Sequence, residues 1–136
     1  MSATMQILQP PGWAKPKGFS NGIAASGRLV FIAGQVGVNA QGKFEEKTFQ
    51  GQFRQTLTNI VTVLAEAGGR PEHLVRLTWY VIDKREYLGA IKEVGAAYRE
   101  IIGRHYPAMA VVQVVGLVEP EARLEIEATA VVPEAP

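Results

Sequence analysis

Two rhythms of hydrophobic and polar positions run along this chain. From Phe49 onward, Phe49, Phe53, Leu57, Ile60, Val61 and Leu64 recur at helical spacing. Gln52, Arg54, Gln55, Thr58, Asn59 and Glu66 fall mostly outside that stripe. The spacing predicts an amphipathic helix ended by Gly68-Gly69, because glycine readily takes the left-handed conformation of a helix C-terminus. Pro71 blocks any continuation. A second stripe, Leu88, Ile91, Val94, Tyr98, Ile101 and Ile102, predicts another helix that stops near Gly103. Asp83-Lys84-Arg85-Glu86 opens it in the manner of a capping box, with Glu86 reaching back.

The other rhythm is extended. Leu74 to Ile82 is rich in β-branched and aromatic residues, with Val75, Leu77, Trp79 and Val81 on one face. Arg76, Thr78, Tyr80 and Ile82 share the other face. Ala108 to Leu117 and Arg123 to Val132 read as two closing strands around a Glu119-Pro120-Glu121 turn. Near the start, Ser20 to Ala25 and Arg28 to Ala33 flank Ser26-Gly27, which predicts a tight hairpin. Leu29 to Ala33 is apolar at consecutive positions, as in a strand covered on both faces. Residues 1–17, with Pro10, Pro11, Gly12 and Pro16, are expected to form an irregular arm ahead of one domain over 18–133.

The predicted order is β-β-α-β-α-β-β, an α+β arrangement with two helices on one face of a sheet. Its last but one strand is apolar on both sides: Met109, Val111, Val115 and Leu117 alternate with Ala110, Val112 and Val114. Something besides the helices must cover the second side, and a partner subunit is the economical answer.

Composition narrows the field. At 136 residues the chain fits one domain with a real core, and 20% charged residues is ordinary for a folded soluble protein. Its 14 basic and 13 acidic residues are scattered, so no basic stripe argues for nucleic acid. Lys15-Pro16-Lys17, the densest basic spot, reads as a solvated lead-in. With no cysteine there is no disulfide, thiolate metal site or thiol nucleophile. Neither a signal-peptide pattern at the N-terminus nor an apolar run of roughly 20 residues is present, so the expected location is cytoplasmic and no membrane partner is expected.

Few residues invite chemistry. Gly34-Gln35-Val36-Gly37 has the wrong length for a phosphate-binding loop and reads as a turn. His73 and His105 are too isolated to build a metal site. His105 is either a solvated residue after a helix end or a proton carrier near a cleft. Glu125 and Glu127 share one strand face; they are either a polar surface or, in a cleft, a means to position water and shuttle its proton. Trp79 and Met109 read first as core residues.

The closing segment adds a resemblance. Pro107-Ala108-Met109 through Leu117, then six residues, then Leu124-Glu125-Ile126-Glu127-Ala128 resembles the RidA/YjgF family signature, a Pro-Ala-Arg motif followed by a Leu/Val-Glu-Ile strand. Lys17-Gly18-Phe19-Ser20-Asn21-Gly22 resembles the family's opening strand, and Phe31-Ile32-Ala33-Gly34-Gln35 its Ser/Ala-Gly-Gln strand end. The resemblance covers about residues 17–132. It implies a chorismate-mutase-like subunit with a mixed sheet, assembled as a homotrimer with ligand clefts between subunits.

It further implies hydrolysis of enamine or imine metabolites to a 2-oxo acid and ammonia, with no metal or organic cofactor. The family has also been labelled as translation inhibitors with ribonuclease activity, which this charge distribution does not support. By position Glu125 matches the water-handling glutamate and Gly34 the glycine of the strand corner, with Phe19, Met109, Ala110 and Val111 at the substrate. Two positions depart from the pattern. Phe19 stands where a tyrosine is common, and Met109 stands at the arginine that grips the substrate carboxylate. Losing such a charged partner removes roughly 1.5–3 kcal/mol of binding. The expectation is therefore a deaminase of altered specificity, its anion held by Arg104, Arg123 or Lys92, or a substrate without a carboxylate. The alternative is a non-catalytic trimeric protein that binds a metabolite in the same clefts.

Overall fold

The computed structural model, which describes residues 5–134, runs β1 (Met5–Leu8), β2 (Gly22–Ala25), β3 (Arg28–Gln35), α1 (Phe49–Glu66), a 3-10 turn at Pro71–His73, β4 (Leu74–Val81), α2 (Lys84–Gly89), α3 (Ile91–Ile101), β5 (Ala108–Gln113) and β6 (Leu124–Val132). The main sheet has the order β3-β6-β4-β5. β6 is antiparallel to both its neighbours, and β4 and β5 are parallel, joined by the α2–α3 crossover. The α+β architecture with helices on one face of a mixed sheet is the expected one. Among the described residues no helix is long and apolar enough to cross a membrane.

α1 forms where the stripe predicted it. The Thr48 hydroxyl oxygen accepts from the Gly51 N–H at 3.0 Å, satisfying one of the free donors of the first turn. Phe49, Phe53, Leu57, Ile60 and Leu64 are buried against the sheet, and the helix gives way to Gly68 at φ +74°. On the sheet side they meet Leu77, Trp79 and Val81 of β4 and Leu124, Ile126, Ala128 and Ala130 of β6. β6 alternates buried and open positions along most of its length, so its period of two sorts core from solvent face.

Five expectations change. Met5–Leu8, placed by sequence in an irregular arm, is a strand paired with β2 (Met5↔Ala25 to Leu8↔Gly22). This pairing is available because Ser26-Gly27 does not turn a hairpin: β3 turns away and pairs with β6, starting at Arg28↔Val132. Gly27, at φ +145°, makes that corner, and a Cβ there would sit 2.4 Å from the Val132 carbonyl oxygen. The single helix expected after Asp83 is two, broken at Ala90 (φ −110°, ψ 18°), which turns into the core. Asp83 caps α2 by accepting from the Arg85 N–H at 2.9 Å, but Glu86 does not reach back. Its carboxylate accepts from Arg123 Nη1 at 2.6 Å instead. Finally, β5 stops at Gln113 rather than Leu117, since β4 has already ended at Val81 and offers no further ladder.

Gln52, which periodicity set outside the buried stripe, is 1% exposed. Its Nε2 donates to the carbonyls of Glu46 (3.2 Å) and Glu121 (3.0 Å), and its Oε1 accepts from the Arg123 N–H (2.8 Å). One side chain thus ties the loop before α1 to the loop before β6. Gln52→Leu removes partners from three backbone groups and is expected to lower stability by about 2–3 kcal/mol in urea denaturation. A loss below about 0.5 kcal/mol would mean water takes over those bonds.

The second sheet face stays open within one chain. Phe31 is 75% exposed, and Val112, Thr78 and Tyr80 stand on the same side. The consecutive apolar positions of β3 therefore have one face in the core, through Ile32, and one uncovered.

Candidate functional site

The segment before β2 is fastened to the start of β5. Ser20 is buried, its N–H donates to the Pro107 carbonyl at 3.1 Å, and its hydroxyl donates to the Tyr106 carbonyl at 2.5 Å. That docking holds Phe19 beside the strand that carries Met109. Between this segment, α3 and β5 opens a pocket of about 570 Å³ lined by Phe19, Met109, Val111, Trp79 and Tyr106, among others. Trp79 is 4% exposed, packed on Phe53 (centroids 4.9 Å apart) and edge-on to Tyr87 (5.8 Å), so it is core and pocket wall at once. Its buried indole N–H finds no acceptor among the described residues. Tyr106 stacks on Tyr98 at 5.3 Å and 10°. Burial, with a lesser contribution from Tyr106, pushes the Tyr98 hydroxyl well above the usual phenol range, so it stays protonated and donates to the His105 carbonyl at 2.6 Å.

The other candidates lie on the opposite side of the sheet. Register pairs Met109 with Leu77 on the helix-facing side, whereas Glu125 pairs with Tyr80 on the open side. Between Ile32 and Gln35 the β3–β6 register shifts, leaving Ala33 and Gly34 off the ladder. Glu125 occupies the space this leaves: a Cβ on Gly34 would meet its Oε2 at 2.1 Å. Glu125 makes no hydrogen bond or ion pair among the described residues. Its neighbour Glu127 is engaged, because Tyr80 Oη donates to Glu127 Oε1 at 2.7 Å. That bond, more than any other cause, raises the Tyr80 phenol above its ordinary value. Two carboxylates that alternation alone places on the same face are thus distinguished by one hydroxyl.

The structure brings Phe19, Met109 and Val111 together on one face, and Gly34 and Glu125 on the other. Ala110 falls on the open face beside Thr78. With β4 between β6 and β5, Glu125 and Met109 are also about 10 Å apart across the strands.

None of the proposed replacement cations reaches the pocket. Arg123 is held by Glu86 and by the Lys47 carbonyl (2.9 Å), while Arg104 and Lys92 are exposed and outside the lining. The cations that do line it are Lys17, read from sequence as part of a solvated lead-in, and Arg99, which sequence reasoning passed over. The available signal was Gly95, one helical turn before Arg99. His105 is half-buried and outside the pocket lining; its Nε2–H donates to the Leu74 carbonyl at 2.6 Å and ties the loop before β5 to the start of β4. Among the described residues no group of three His, Asp or Glu is placed to hold a metal ion.

This geometry accompanies a clear kinship. The family model described as endoribonuclease L-PSP matches residues 13–132. A RutC family protein of Synechocystis is 33% identical over 96% of this chain and 98% of its own length. A protein of Escherichia coli K12 named "Putative reactive intermediate deaminase TdcF" is 32% identical over 77% of this chain and 80% of its own. The crystal structure of a Rid-family protein of unknown function from Yersinia pestis superimposes with a TM-score of 0.82 at 35% identity, covering 96% of this chain and all of that one. That of the YjgF gene product of Escherichia coli does so with a TM-score of 0.65 at 29% identity, over 83% and 87%. By its family-model match, its architecture, its Pro107-Ala108 strand start and its Gly34–Glu125 corner, this chain belongs to the RidA/YjgF family, the family of endoribonuclease L-PSP.

Proposed function

We propose that this protein is a homotrimeric hydrolase of enamine- or imine-type metabolites, working in clefts between subunits. The observation that carries the reading is the separation of the two half-sites by the sheet. Glu125 and Gly34 lie on one face and the Phe19–Met109–Val111 pocket on the other, so a complete site needs two chains. The uncovered apolar face bearing Phe31 and Val112 gives those chains a surface to share.

In such a cleft the Glu125 carboxylate accepts a proton from water as its oxygen attacks the imine carbon. The carbon becomes tetrahedral and Glu125 passes that proton to nitrogen; the carboxylate then takes the proton of the new hydroxyl and delivers it to the departing nitrogen as the C–N bond breaks, giving a 2-oxo compound and ammonia. An unengaged carboxylate suits this cycle because it must accept and return the proton without first breaking another bond. Met109 supplies no charge at the substrate's carboxylate, so short imino acids such as 2-iminobutanoate are expected to be poor substrates.

The test mixes two inactive variants. Glu125→Gln disables one half-site and Met109→Glu the other, in different chains. Refolded together in equal amounts, they regain about one quarter of wild-type imine hydrolysis if each site draws its halves from two subunits. No recovery from a mixture shown to be co-assembled would sink the intersubunit reading. The second reading, a trimeric protein that binds a metabolite without consuming it, draws on the apolar wall around Met109. A ligand that raises the Tm and is recovered unchanged would favour it.

A further inference from the structure

The pocket's charge pattern is one-sided. Two cations, Lys17 and Arg99, line it, and no acidic side chain does. Arg99 lies on α3, and no hydrogen bond or ion pair within the described residues occupies it, unlike Arg54, Arg70, Arg85 and Arg123. Long side chains on a helix lean back toward its N-terminus, over the residue four before. Here that residue is Gly95, also in the pocket lining, and a Cβ added there would sit 3.2 Å from Arg99 Nη1. Glycine within a helix is unfavourable relative to alanine. At this position it keeps the wall beneath the guanidinium low and open to the cavity.

The remainder of the lining is largely apolar and aromatic, and about 570 Å³ is within the range that takes drug-sized molecules. A four-carbon acid would leave most of it unfilled. We infer that Arg99, assisted by Lys17, is the anion clamp of this pocket, approaching from the helix side, and that its ligand is a monocarboxylate with a bulky apolar or aromatic body. The carboxylate meets the guanidinium at the rim, where a planar fork can pair with both oxygens. The body lies against Phe19, Met109 and Trp79. This rests on the reading of the pocket as the substrate half-site, and it names the class of substrate.

Calorimetric titration tests it with three probes: phenylpyruvate, 2-oxobutanoate and the neutral 3-phenylpropanamide. The proteins are wild type, Arg99→Gln, Arg99→Lys and Arg104→Gln, the last a control outside the lining. Phenylpyruvate is expected to bind wild type at least about tenfold more tightly than either other probe. Arg99→Gln weakens it about 10- to 100-fold while leaving the amide unchanged. Arg99→Lys retains part of the affinity, and Arg104→Gln retains all of it. Equal binding by wild type and Arg99→Gln overturns the clamp, as does tighter binding of 2-oxobutanoate or no binding of any probe. Turnover of the imine made from phenylalanine by an amino-acid oxidase is read separately. Arg99-dependent binding without turnover supports the clamp while overturning the hydrolase reading.

Discussion

Glu125→Gln is expected to lower imine hydrolysis by about 10²–10⁴-fold, the range over which a positioned acid/base acts, and to leave the affinity for pocket ligands nearly unchanged. The substitution keeps size and shape and removes the negative charge and with it the ability to take a proton. Glu127→Gln provides the internal comparison. Both residues project from the same face of β6, yet Tyr80 already occupies Glu127, and only Glu125 stands unengaged over Gly34. Loss of the Glu127 charge is therefore expected to cost less than about tenfold, through the released tyrosine. The measurement is release of 2-oxo acid and ammonia in an oxidase-coupled assay. Equal effects at the two positions, or full activity in Glu125→Gln, would remove the assignment of the water-handling carboxylate.

Phe53→Ala is expected to cost about 3–5 kcal/mol of stability, the usual penalty for emptying a large aromatic site in a core. Phe53 is fully buried on α1, its ring 4.9 Å from that of Trp79. The same truncation should loosen the pocket, because Trp79 is held between Phe53 on one side and the cavity on the other. Urea denaturation at fixed subunit concentration measures the first effect, and a red shift in tryptophan emission reports the second. A loss under about 1 kcal/mol would mean that the core refills the space.

What the sequence made legible follows from how far each signal is local. The α1 stripe and the alternation of β6 are repeated patterns in which every residue restates the same face, and both are found where expected. Glu125 and Gly34 were matched to two separate family motifs; their meeting at one corner, 91 positions apart in the chain, comes from the structure. Signals that depend on a distant partner were less readable. Ser26-Gly27 has the chemistry of a hairpin turn, but the same glycine serves a corner between two sheets when the end of β6 passes close by. Gln52 is polar at a helical position, and only the two loops converging on it make burial favourable. Arg99 sits on the solvent side of α3 by periodicity. It becomes a site residue because the Phe19 segment and β5 enclose the space in front of it.

Gly34 acts on the candidate site through an atom it lacks. The carboxylate oxygen of Glu125 occupies the place where any other residue would put its first side-chain carbon. Gly34→Ala therefore offers a way to separate possession of a group from its location: the glutamate remains, charged and chemically intact, but is displaced from its station. A laboratory screening relatives for activity by checking only for the glutamate would count such a protein as competent. The position that decides the matter is the one with nothing on it.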